Sequence, residues 1–533
     1  MRKLIPLLLA AGLLAAPQAP PKRASGKPKL VLTIVIDQFR YDYLTRFRSE
    51  YNAGFARLLK DGAVFTDAHY EHFPTVTAVG HSTVLTGAPP AISGIVGNEW
   101  FDRDSGREVS SVSDDSVQPL GAPGKGAASP RRLLVSTLPD QLKMAGRECK
   151  VIGLSLKDRS AILPVGHTAD AAYWFDNKTG NIASSTYYMA ELPAWVKDLN
   201  QSRFADKYLG AEWAPLSKQP SPWPPTLFGK LPAEPGSRYY NAVYTSPFGN
   251  DVLLDMATRA IDAEKLGQGA GTDVLSVSFS SNDAVGHRAG PDSPEVRDIS
   301  IRTDRVIGKL LRHVDEKIGL ANTIVVLTAD HGVAPVPEIL QKEKMPAGRL
   351  PAGALRAAAE KALAAKYGEG RWVAAGSAEL YLNQAAFREK GIAPAEAQHV
   401  VAAAWSALPH VARVYTREDL RAGRLSDDYI GRRVRNGFNY ERFADVVAIL
   451  EPFWLGEGTS GTSHGTPYNY DSHVPVIFLG QGIRAGRYNQ RIMVNDIAPT
   501  LASLLDVEAP AGAIGRVLDE MLAAPRAAVA GAR

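Results

Sequence analysis

The chain has 533 residues, 45% of them hydrophobic and 22% charged, a composition that suits a soluble globular protein with a large buried core. Its 60 Lys and Arg against 56 Asp and Glu leave a formal charge of +4, which gives no grounds for a nucleic-acid partner. A single cysteine, Cys149, excludes an internal disulfide.

At the N-terminus, Met1-Arg2-Lys3 precedes an apolar run over residues 4–16 and then Pro17-Gln18-Ala19. This is the pattern of a secretory signal peptide, taken as residues 1–19, and it is too short for a comfortable membrane span. Residues 20–29 read as a disordered linker. No later stretch is long and apolar enough for a membrane anchor, so the expectation is an exported chain, periplasmic or secreted.

Residues 30–36 form an apolar, β-branched run ending in Asp37, the pattern of a central parallel strand with a carboxylate at its C-terminal tip. Residues 74–98 hold Pro-Thr-Val-Thr-Ala-Val-Gly-His and, further on, Gly97-Asn98. Residues 78–86 suit a short helix stopped by Gly87. That puts Thr77 at a helix N-terminus, where free N–H groups favour an anion. A hydroxyl there is either a helix cap, the commoner fate, or a nucleophile.

A helix follows over 138–145, then a buried strand over 149–156 that runs into Lys157-Asp158-Arg159. Residues 273–279 predict a strand leading into Ser-Ser-Asn-Asp-Ala-Val-Gly-His, and 294–317 a charged helix. A strand over 323–328 ends in Ala329-Asp330-His331-Gly332, another spans 474–479, and a helix spans 496–505. Alternating strands and helices predict an α/β fold with a mainly parallel sheet flanked by helices. The polar clusters lie past the C-terminal strand ends, where such sheets place ligands. Two intervals, about 168–240 and 335–441, break the rhythm. They read as insertions covering the site of one catalytic domain, residues 30–525, with 526–533 as a frayed tail.

The strand-end residues Asp37, Asp283, His287, Asp330 and His331, with His464 in Gly-Thr-Ser-His-Gly, are carboxylates and imidazoles of the kind that bind divalent ions. Asp283 and His287 sit four apart across a turn containing Gly286, and Gly332 lets the backbone bend beside Asp330 and His331. A lone histidine is more often structural than a ligand, and the other eight are read as ordinary or supporting residues. The joint appearance of these ligand types with strand ends predicts a metal site. Three carboxylates would leave two divalent ions with about one uncompensated positive charge, enough to attract a phosphate dianion.

These pieces resemble the alkaline phosphatase superfamily, and more narrowly the phosphate-irrepressible bacterial alkaline phosphatases, relatives of the type I phosphodiesterase/nucleotide pyrophosphatases. The resemblance rests on Val-Ile-Asp-Gln-Phe-Arg (35–40), Pro-Thr-Val-Thr-Ala-Val-Gly-His (74–81), Gly-Asn-Glu-Trp (97–100), Ser-Leu-Lys-Asp-Arg (155–159), Asp-Ala-Val-Gly-His (283–287), Ala-Asp-His-Gly (329–332) and Ser-His-Gly-Thr (463–466). It implies an alkaline-phosphatase-like fold and two Zn2+ ions, one held by Asp37, Thr77, Asp330 and His331, the other by Asp283, His287 and His464. It implies Thr77 as nucleophile, with Thr75 the nearby alternative, and Asn98, Lys157 and Arg159 as contacts to the phosphoryl group. The implied substrates are small phosphate monoesters, hydrolysed through a phosphothreonine. A dianion needs donors such as Lys157 and Arg159, whereas a diester relative would not. The rivals are a phosphodiesterase and a metal-containing binding protein without turnover. A sulfatase is disfavoured because no Cys/Ser-x-Pro-x-Arg sequence is present. Oligomeric state is left open.

Overall fold

Leu30–Ile36 (β1) is apolar except for Thr33, and all seven side chains are buried. A strand covered on both faces has no polar alternation, and β1 is the middle of a ten-stranded sheet. The other strands, in chain order, are Ala63–His69 (β2), Pro119–Leu120 (β3), Val151–Ser155 (β4), Ala171–Asp176 (β5) and Asn181–Ser185 (β6). Asp273–Phe279 (β7), Thr323–Ala329 (β8), Val476–Gly480 (β9) and Gly486–Met493 (β10) complete it. The order across the sheet is β10-β2-β9-β8-β1-β7-β4-β5-β6-β3. The block β8-β1-β7-β4-β5 is parallel, β9 runs against both its neighbours, and the β5-β6-β3 edge is antiparallel. This computed structural model describes residues 26–124, 126–216, 227–456 and 458–523. The expected signal peptide, most of the linker and the tail lie outside them.

The main helices are Thr77–Thr86 (α1), Asp158–Ile162 (α2), Pro247–Glu264 (α3), Ser281–Ala289 (α4), Pro294–Lys317 (α5) and Ile497–Leu505 (α6). The long pair α3 and α5 pack on each other, and α3 also lies against β4 and β7. Every residue of α1 is buried, so it is an internal helix rather than an amphipathic surface one. It ends where Gly87 adopts a left-handed conformation at φ 66°.

Three features differ from the sequence expectation. Asp283 and His287 lie on α4 rather than across a turn, and a helical spacing of four is what brings both to one face. The interval 168–240 contributes β5 and β6 to the main sheet. Ala-Ala-Tyr-Trp-Phe-Asp is an apolar run without alternation, hidden in an aromatic-rich context. Residues within 335–441 supply Val373–Ala375, Glu379–Leu382 and Val411–Thr416, which join Val446–Leu450 in a separate antiparallel sheet. Its own buried core includes Trp372, Phe387, Trp405 and Val446.

Gly80 sets how closely α1 can approach the sheet. A Cβ there would fall 2.1 Å from the Asp330 carbonyl oxygen, so backbone would have to move. Gly80→Ala is expected to destabilise the protein by about 1–3 kcal/mol, seen as a lowered thermal midpoint. An unchanged midpoint would show that α1 has slack against β8.

Candidate active site

In-register parallel pairing decides which side chains meet. Ile36 lies level with Phe279 on one side and Ala329 on the other, so the chain leaves β1, β7 and β8 at one height. Asp37, the Asp283–His287 helix and Asp330-His331 therefore emerge side by side. β4 is next to β7, and two residues past its end Lys157 reaches the same edge.

Asp37 and Asp330 are fully buried, and Asp283 is nearly so. The Lys157 ammonium bridges two of these groups, 2.7 Å from Asp37 Oδ2 and 2.7 Å from Asp283 Oδ2. Burial pushes the Asp37 carboxyl well above its usual range, and the charges of Asp283 and Asp330 add to the rise. Burial also opposes charge on Asp283, but Lys157 and His287 outweigh it and hold that carboxyl well below the usual range. Lys157 likewise stays charged against the cost of burial because Asp283 and Asp37 flank it.

The three candidate ligand histidines share one arrangement. Nδ1–H donates to a backbone carbonyl in each: His287 to Thr462 at 2.9 Å, His331 to Gly332 at 2.9 Å and His464 to Thr75 at 2.9 Å. A carbonyl can only accept, so each ring carries its proton on Nδ1 and leaves the Nε2 lone pair free. Those Nε2 atoms converge. His287 Nε2 is 3.1 Å from Asp283 Oδ1 and 3.2 Å from His464 Nε2. His331 Nε2 is 3.4 Å from Asp37 Oδ1, 3.4 Å from Asp330 Oδ2 and 3.4 Å from Thr77 Oγ1. Burial lowers the pKa of His331 and, more strongly, of His464, which favours the neutral, ligating form. Asp37 Oδ1 and Asp330 Oδ2 are buried without a hydrogen-bond donor among the described residues. Asp330 Oδ2 lies 3.1 Å from His81 Nδ1, but that nitrogen's proton goes to the Thr77 carbonyl at 2.8 Å. Unpartnered carboxylate oxygens beside free imidazole lone pairs form a donor set that fits divalent metal ions.

Two groupings are drawn from these residues, Asp37–Asp283–His331 and Asp283–His287–His464. A third, Asp67–His69–His473, is built differently. There the His473 Nε2 is itself taken up by the Thr66 carbonyl at 3.0 Å. Both nitrogens of His69 are already engaged, by Asp67 and Ser472.

Thr77 is the first residue of α1, and its hydroxyl does not cap the helix; the N-cap position is Val76, without a side-chain bond. Among the described residues its hydroxyl has one hydrogen-bonding contact, His331 Nε2. Thr75 is occupied, donating its hydroxyl to the Thr466 carbonyl at 2.8 Å. Asn98 Oδ1 accepts from the Ala78 N–H at 2.8 Å, which fixes the amide orientation and leaves Nδ2 a donor without a partner among the described residues. Arg159 is partly exposed, 3.8 Å from Asp158, and its buried Nε has no partner among the described residues.

Two residues were missed in the sequence. Gln38 has a left-handed backbone, φ 60°, unusual for a side chain-bearing residue. There its N–H donates to Asp330 Oδ1 at 3.0 Å and its Nε2 to Asp283 Oδ1 at 2.7 Å, bracing one carboxylate against the other. Gly286 makes room for it, since a Cβ would meet Gln38 Oε1 at 1.9 Å. Gln38 lay inside a quoted motif, but no spacing rule marks a residue that braces two carboxylates. Tyr244 is the other. Burial pushes its phenol up to about 12, within the electrostatic reach of Lys157, Asp283, Asp37 and Arg159.

Against known proteins, residues 31–473 match the family described as type I phosphodiesterase / nucleotide pyrophosphatase. The chain belongs to this family. Within the type I phosphodiesterase / nucleotide pyrophosphatase family, it is 38% identical over 520 residues to alkaline phosphatase PhoV of Synechococcus elongatus, covering 93% of each chain. It is 36% identical to alkaline phosphatase PafA of Elizabethkingia meningoseptica, covering 97% of this chain and 98% of that one. The crystal structure of wild-type PafA superposes with a TM-score of 0.87 at 35% identity, covering 94% of this chain and all of the other. The expected superfamily and α/β fold are thereby borne out.

Because Gln38 holds Asp283 and Asp330 in place, Gln38→Ala is expected to weaken metal binding about 10–100-fold, measured by chelator competition. Unaltered affinity would mean the carboxylates are positioned without it.

Proposed function

We propose that the protein is an exported, zinc-dependent alkaline phosphatase that hydrolyses small phosphate monoesters through a phosphothreonine. The observation that carries this is the convergence of three Nε2 atoms and three carboxylates beside the Thr77 hydroxyl and the Lys157 ammonium. The named relatives support it, both being alkaline phosphatases.

Asp37, Asp330, His331 and Thr77 would hold one zinc ion, and Asp283, His287 and His464 the other. When bound, such a pair supplies Lewis-acid stabilisation to attacking and leaving oxygens. Thr77 Oγ attacks phosphorus, the ester P–O bond breaks, and the alcohol departs. Water then attacks the phosphothreonine, releasing phosphate and restoring the hydroxyl. Asn98 Nδ2, Arg159 and Lys157 donate to the nonbridging oxygens, where charge persists throughout. Gln38 keeps two carboxylates from drifting apart when the charge distribution changes. Export is supported by the N-terminal Met-Arg-Lys and apolar run, and among the described residues no helix is long and apolar enough to cross a membrane.

The monoester reading is separated from its diesterase rival by charge. Lys157→Ala is expected to lower kcat/KM for an aryl phosphate monoester about 10²–10³-fold while affecting a matched diester far less. Equal losses, or wild-type preference for the diester, would overturn it. Thr77→Ala is expected to abolish turnover and the phosphoenzyme trapped on acid quench. Since the hydroxyl caps nothing, its stability should fall by less than about 1 kcal/mol. Chelation should abolish hydrolysis and Zn2+ should restore it; activity that survives exhaustive chelation would exclude the metal reading.

A further inference from the structure

Beside the site lies a cavity of about 280 Å³ walled by the loops around Pro74–Val76 and Ser463–Pro467 and by the small antiparallel sheet. Pro74, Val76, Leu450 and Leu455 make it apolar. His464 lines it on the site side, and the one carboxylate in its wall is Glu379. Glu379 opens the strand Glu379–Leu382, and strand pairing with Val447 fixes its position. Its carboxylate has no hydrogen-bond or ion-pair partner among the described residues.

We propose that this cavity is the leaving-group subsite and that Glu379 selects phosphate monoesters whose alcohol carries an ammonium group on a short alkyl chain. The inference rests on the phosphatase reading. In-line displacement sends the leaving group away from the nucleophile. Thr77 Oγ1 stands in the His331 grouping, so departure is toward Asp283–His287–His464, and His464 is the residue shared with the cavity. The apolar walls suit methylene and methyl groups. An anionic side chain there disfavours a second negative charge and gains from a cation, because the half-buried carboxylate has no ionic partner of its own among the described residues. Desolvation pushes the carboxyl up to about 7, with no neighbouring charge to hold it down.

The test uses phosphocholine and 3,3-dimethylbutyl phosphate, which match in shape and differ in charge. The metal-loaded wild-type enzyme and Glu379→Gln are compared at about pH 9, where a carboxyl titrating at about 7 is ionised. The quantity read is the ratio of kcat/KM values for the two esters. Dividing the wild-type ratio by the variant's cancels the intrinsic reactivities of the esters. The ratio is expected to fall about tenfold in Glu379→Gln, an ordinary value for one partly buried charge contact. Glu379→Asp keeps the charge, should retain part of the preference, and is the variant to use if Glu379→Gln does not fold. A ratio unchanged by Glu379→Gln, or one that falls equally in Glu379→Asp and Glu379→Gln, overturns the subsite while monoester hydrolysis stands. Failure of the wild type to hydrolyse any monoester, 4-nitrophenyl phosphate included, overturns the phosphatase reading and the subsite with it.

Discussion

Three carboxylates packed into one buried corner are the constraint on which this architecture turns. Asp37 and Asp330 directly follow adjacent strands held in register, and Asp283 sits on the helix that follows the third, so the three emerge side by side. Three uncompensated charges in a low-dielectric setting would be prohibitive, so the surroundings are cationic or donating: Lys157 across two of them, Gln38 between two, and imidazole edges around the rest. The left-handed backbone of Gln38, which costs about 1–2 kcal/mol, is tolerated because it delivers two of these donors at once.

The central strands were legible because burial on both faces writes itself as continuous apolar sequence. Residues 273–279 and 294–317 were located to the residue, and Asp37 and Asp330 fell at strand tips as expected. The outer strands were not legible. Ala63–His69 and Gly486–Met493 mix charged and apolar residues, and Gly486–Met493 is largely exposed at the sheet edge. The reversed direction of Val476–Gly480 leaves no trace in composition, since direction depends on its connections. In the site, the ligand types announced themselves. The contacts that orient them did not, because Gly332, Thr75 and Thr462 hold the imidazoles through main-chain carbonyls that every residue possesses.

The division of labour between the two sheets also follows from burial. The ten-stranded sheet carries the charged groups at its parallel C-terminal edge, braced by α1 behind Gly80. The smaller sheet packs one face on a core of its own, and through Tyr381, Val447 and Ile449 on its other face it is anchored to the main core.

The bond from His464 Nδ1 to the Thr75 carbonyl joins residues 389 apart in the chain, and the Thr75 hydroxyl spans a similar gap to Thr466. Closing loops of such length carries a large entropic cost, which the packed state has to repay. The helix bearing Thr77 also packs on Val494–Asp496 and Ile497–Leu505, so it too is completed from the far end of the chain. The corner is thus a seam between the N-terminal and C-terminal parts of the sequence, and a truncation ahead of residue 464 would remove one wall of it along with the His464 imidazole.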